Sequence, residues 1–224
     1  MIDLTNSIRR RGFLGGLAAS AALGMTGLIE AAANTNNQSG ESDAAFDAWI
    51  KSIKGKHKQV FDAPSTNGGF PFAWPRVFQL TNNQVGVPND QLTAVVILRH
   101  DAIPLAMVDA LWTKYNFGEV FHAHDPMTKT PWTSNPFWKP KSALPIPGMA
   151  LNELLDSGVL VGVCDMALKF YSQGVAEKMK LDAAEIKKDW VGGIFPGIQI
   201  VPSGVLAINR AQEAGCTYCY AGEG

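Results

Sequence analysis

Apolar runs alternate with segments of helical spacing along most of this chain. The stretch "LTAVVILRHD", residues 92–101, is apolar almost without a break, the pattern of a strand buried on both faces. Shorter runs at 58–64 ("KQVFDAP"), 159–163 and 198–201 read as further strands. Helical spacing occupies 44–53, the segment after Pro75, 150–155, 166–173 and 183–189. A longer helix is expected over 103–115, where Leu105, Val108, Leu111 and Trp112 fall on one face. The last helix has Ser203 as its cap, Val205, Ile208 and Ala211 on one face, and Gly215 as its stop. Four apolar strands separated by helices predict an α/β fold with a largely parallel sheet.

Residues 116–147 break this rhythm with six prolines, Trp132, Trp138 and the run "HAHDP". A connection of that length is expected to be an arm that covers a core edge or packs on a neighbouring subunit. Its His122 and His124 stand two apart and share a face if extended, a spacing that can ligate zinc or copper. The same pair in a polar loop is more commonly plain surface.

The N-terminus changes the expected compartment. "RRRGFLGGLAASAALGMTGLIEAAA" joins a basic start to a weakly apolar stretch ending in small residues at Ala31–Ala33. Arg10 and Arg11 with Gly12-Phe13-Leu14 resemble a twin-arginine export signal, so residues 1–33 are expected to be removed and the rest to reach the periplasm. The polar segment 34–43 reads as a flexible linker, and 44–224 as the folded domain. Loss of Arg9–Arg11, Asp3 and Glu30 leaves 16 basic against 18 acidic residues, a formal charge of −2. That balance is no footprint for nucleic acid or an anionic membrane, and no other run is apolar enough to span a bilayer.

Ligands of open α/β sheets bind beyond the carboxyl ends of the strands. The residues just past the expected strands are His100-Asp101, Cys164-Asp165 and Pro202-Ser203-Gly204. Strand order decides which of them are neighbours. Cys164 would feel the positive end of a helix, which favours thiolate, while the adjacent Asp165 carboxylate disfavours it. Asp165 is expected to cap that helix or pair with Lys169 at i+4. A free cysteine is also commonly buried as a small hydrophobe.

The pair Cys216 and Cys219 in "GCTYCY" has three readings in an oxidising compartment. They are a disulfide between the two, a redox partner for Cys164, and half of a metal site. The chain has no Gly-rich phosphate loop after a strand, no haem-attachment motif and no nucleophile elbow, so no cofactor is indicated beyond a metal ion.

Residues 58–220 resemble the DsrE/DsrF-like family. The resemblance rests on "VVILRHDAIP", "NPFW", "LLDSGVLVGVCDMAL" and "VPSGVLAINRAQEAGCTY". It implies a flavodoxin-like three-layer α/β/α fold and homo-oligomers built from threes, as trimers or hexamers. It also implies that Cys164 carries sulfur as a persulfide, between a donor and an acceptor that the sequence does not name; His100, placed at the same rim by the strand-end rule, is the candidate proton partner. Relay members work in the cytoplasm, whereas this chain is expected to be exported, and Cys216 and Cys219 are not part of the relay pattern. The other functional reading is a non-catalytic oligomeric module that holds a metal or small ligand at the same rim.

Overall fold

All four apolar runs form strands in the computed structural model, which describes residues 39–140 and 143–223. They are β1 (His57–Ala63), β2 (Leu92–Leu98), β3 (Leu160–Cys164) and β4 (Ile198–Val201), joined by a fifth, β5 (Thr217–Tyr220). The sheet is entirely parallel with the order β4-β3-β2-β1-β5. Strand β5 was not expected, because "TYCY" is short and mostly exposed, an edge strand without an apolar run.

The helices are α1 (Ser39–Lys51), α2 (Phe70–Gln84), α3 (Asp109–Tyr115), α4 (Phe117–Val120), α5 (Leu151–Asp156), α6 (Asp165–Met179), α7 (Ala183–Gly192) and α8 (Gly204–Glu213). The expected export signal lies outside the described residues, and α1 begins at Ser39, inside the segment read as a linker. The described residues from Ala45 onward form one compact unit. Among the described residues no helix is long and apolar enough to cross a membrane.

Alternation along the strands divides the core into two clusters, giving the flavodoxin-like three-layer architecture. Phe61, Ala63, Val96, Leu98, Val161 and Val163 face helices α2–α7. Val60, Val95, Ile97 and Val201 face Phe46 of α1 and Ala207, Ile208 and Ala211 of α8. The chirality of parallel crossovers explains the split. Steps from β1 to β4 run one way across the sheet and put their helices on one face, while the return from β4 to β5 puts α8 on the other.

Two boundaries differ from expectation. Residues 103–115 are not one helix: a 3-10 turn spans His100–Ala106, the chain then extends, and α3 starts at Asp109. His100 has a left-handed backbone (φ 47°) and Pro104 offers no amide donor, so regular helix cannot begin earlier. Helix α2 starts at Phe70, before Pro75, because Pro71 occupies the first turn, where a missing donor costs nothing.

The Pro- and Trp-rich segment covers a core edge of its own chain. Residues 123–132 fold back on themselves through the bonds Trp132 N to Ala123 O (2.9 Å) and Asp125 N to Thr130 O (2.9 Å). Buried Asn135 then pins the segment down, its amide donating to Leu105 O (2.8 Å) and Met107 O (3.1 Å) while its Oδ1 accepts from Phe137 N (3.0 Å). Trp132 meets Phe137 edge to face and Trp138 stacks on Phe195 at 3.8 Å. The two tryptophans are therefore half-buried in intrachain packing.

Candidate functional site

The strand order brings together the three turns that the sequence left unplaced. Strand β3 lies between β2 and β4, with Leu98 opposite Val163 and Cys164 opposite Val201. Cys164 therefore ends its strand between the His100 turn and the Pro202-Ser203-Gly204 turn. Helix α6 leaves β3 toward one face and α8 leaves β4 toward the other. The gap between two such departures is the usual ligand crevice of an open α/β sheet.

Cys164 is 6% exposed and is itself the N-cap of α6, its Sγ accepting the Ala167 N–H at 3.3 Å. Asp165 is not the cap and does not pair with Lys169. Its Oδ1 meets Lys187 Nζ of α7 at 2.7 Å, with both side chains about three-quarters buried. Ser203 caps α8 as expected, its Oγ accepting Leu206 N–H at 3.2 Å.

His100 is exposed as a residue, yet partial desolvation of its ring, with the Arg99 cation second, lowers its pKa below the usual imidazole value. Its turn is tied down on both sides. Asp101 N donates to Pro64 O (3.0 Å), and Tyr171 Oη of α6 donates to Asp101 Oδ1 (2.5 Å). Burial, with the Asp101 bond second, raises the Tyr171 pKa, so its hydroxyl stays a donor throughout the physiological range. The rim is thus a thiol at a helix N-terminus, an imidazole on the adjacent turn, and no hydrogen bond between them among the described residues.

One charged cluster beside this rim escaped the sequence reading. Arg99 reaches over to β1 and binds Asp62 bidentately, Nε to Oδ1 at 2.6 Å and Nη2 to Oδ2 at 3.0 Å. Tyr218 of β5 donates to the same carboxylate at 2.8 Å. Gly204 leaves room for the Arg99 stem, since a Cβ there would stand 2.9 Å from Arg99 Cβ and Cδ. The available signal was the single carboxylate inside the strand "KQVFDAP".

The fold sets Cys216 and Cys219 on opposite sides of the sheet. Cys164, Cys216 and Cys219 are all free. Cys216 belongs to the cluster beneath α8, whereas Cys219, inside β5, packs against the opposite cluster. Three residues of extended chain separate them by about 10 Å, beyond the reach of a disulfide. Strand β5 also lies three places from β3, about 14 Å at normal strand spacing, so neither cysteine can bridge to Cys164 without rearrangement.

The metal readings gain nothing either. His122 has a left-handed backbone (φ 50°), which breaks the extended geometry that would put it on one face with His124. Among the described residues no group of three or more His, Cys, Asp or Glu is placed to hold a metal ion.

Burial pushes the Cys216 thiol up to about 11. A thiol held protonated in the fold but titrating near its ordinary value when unfolded stabilises the protein below the unfolded pKa. That contribution fades as pH climbs toward the folded value. Stability measured by urea unfolding should therefore decline between about pH 9 and pH 11, and Cys216→Ala should flatten that decline. A wild-type slope unchanged by the substitution would show that Cys216 titrates alike in both states.

No protein-family model matches the chain, and comparison with curated proteins finds no match.

Proposed function

We propose that the chain is an exported DsrE-like thiol protein that carries sulfur on Cys164 and works as a homo-oligomer in the periplasm. The observation that supports this most is the Sγ of Cys164 accepting a backbone N–H at the N-terminus of the 15-residue helix α6, beside the strand-end crevice. Unpaired N–H groups and the helix dipole at that position favour negative charge on sulfur. The resemblance of "LLDSGVLVGVCDMAL" to the relay family supplies the rest.

The chemistry is sulfur exchange. The Cys164 thiolate attacks the terminal sulfur of a donor persulfide, a new S–S bond forms at Sγ, and the donor's own sulfur leaves as thiolate. An acceptor thiolate then takes the terminal sulfur in the same way, and Cys164 returns as thiolate. No net electrons are gained or lost in either step. His100 receives the Cys164 proton when the thiol ionises.

The test is intact mass and peptide mapping of protein purified from the periplasm, with and without reductant, followed by iodoacetamide alkylation of the folded protein. The expected result is a Cys164 peptide one sulfur atom heavier before reduction and alkylated in the native state afterwards. Slower alkylation in His100→Ala would support the histidine's role. A Cys164 that resists alkylation until the protein unfolds is a core residue, and the sulfur-carrier reading then fails.

A further inference from the structure

The sequence sets two opposite effects against each other at Cys164, and the structure places a third group, Lys187, on the Asp165 carboxylate. Asp165 follows the thiol directly and lies in the first turn of α6, where its carboxylate repels a second negative charge. Lys187 comes from α7, whose packing against α6 brings Nζ to 2.7 Å from Asp165 Oδ1. The pair is largely shielded, with 27% and 28% of the two side chains exposed, so solvent screens it less than a surface ion pair.

The other charged groups around the rim are already engaged or lie further along the chain. Arg99 is held by Asp62, and Asp101 accepts from Tyr171. Lys169 lies one turn beyond Asp165 on α6, and His100 projects from the neighbouring turn. No acidic residue occupies the first turn of α8.

We propose that Lys187 is a positioning residue for the chemistry of Cys164. It fixes the Asp165 carboxylate and cancels its charge, leaving the helix N-terminus as the dominant field on Sγ. This rests on the reading of Cys164 as a reactive thiol and adds to it a residue 23 positions away whose described ion pair is with Asp165. Asp165 on its own would serve as a natural brake on the thiol, and Lys187 releases it.

The experiment measures the alkylation rate of Cys164 in the folded full chain at neutral pH. Iodoacetamide is used because it is uncharged and not steered by the mutated residues, and mapping follows the Cys164 peptide separately from Cys216 and Cys219. Lys187→Gln should slow the reaction about threefold, the effect of one unpaired carboxylate about 6 Å away at a water-like dielectric constant. Lys187→Arg should keep the wild-type rate, because it keeps the cation. The double variant Asp165→Asn with Lys187→Gln should recover the wild-type rate or exceed it.

A wild-type rate in Lys187→Gln overturns the proposal. So does a slow Lys187→Gln that Asp165→Asn fails to restore, since lysine would then act through helix packing. Asp165→Asn alone, which disturbs packing least, should not slow the reaction, and a slower rate there also counts against it. A wild-type Cys164 that is inert in the folded protein removes the underlying thiol reading, a result distinct from the other three.

Discussion

Arg99→Met is expected to cost about 3–5 kcal/mol, because it strands a buried carboxylate and removes its cation in one step. Asp62 is 3% exposed, and Arg99 supplies two of the three hydrogen bonds described for its carboxylate. Methionine fills much of the space of the arginine stem beside Gly204, so the loss reads charge and hydrogen bonding more than volume. In a domain of this size each kcal/mol lowers Tm by about 2–4 °C, so the shift should be plain in thermal unfolding. Asp62→Asn combined with Arg99→Met should be clearly more stable than Arg99→Met alone, since the amide can still accept from Tyr218 and carries no charge. A single variant within 1 kcal/mol of wild type, taking about that figure as the worth of an exposed pair, would mean that water reaches Asp62.

Asn135→Leu should be comparably severe, for a different reason. The side chain is nearly isosteric, but Leu105 O, Met107 O and Phe137 N each lose a partner in a buried setting. Orphaned buried polar groups cost about 1–3 kcal/mol each, so a total of about 3–5 kcal/mol is expected after partial relaxation. The damage should also be local. Backbone amides of 123–138 should exchange with deuterium much faster than those of β2 and β3. Uniformly faster exchange across the molecule, with no excess at 123–138, would show that the segment is not held by this residue.

Strands β1 to β4 were legible in the sequence because each is a run rich in apolar residues bounded by turn formers, whereas β5 has no such run. "VVILRHD" could hardly be anything else. The cap of α8 followed a local rule as well, which is why Ser203 was found there, whereas Cys164 took the capping place expected of Asp165. Pairings that cross between elements were not legible. Lys169 is the helical neighbour that sequence spacing offers to Asp165, but Lys187 wins because α7 folds back on α6. Asn135 looks like an ordinary loop residue until the carbonyls of Leu105 and Met107 are set beside it. The two cysteines drew attention away from the strand that holds them, and that strand is what keeps them apart. His122 and His124 were paired on an assumption of extended backbone that a single left-handed residue removes.

The place of β5 in the sheet has a consequence for how the molecule is assembled. Strands β1 to β4 can join in the order in which they are synthesised, each beside the one before. Strand β5 cannot, because its partner is β1, and Tyr218 reaches a carboxylate 156 positions earlier in the chain. Closing so long a loop is slow, since its entropy is lost before the new contacts form. Until residues 217–220 have left the ribosome, the outer edge of β1 has no strand beside it. The carboxylate of Asp62 has Arg99 but not yet Tyr218. The nascent domain therefore passes through a stage with an open parallel edge, the kind of surface on which chains mispair, and β5, made after the four other described strands, is the one that closes it.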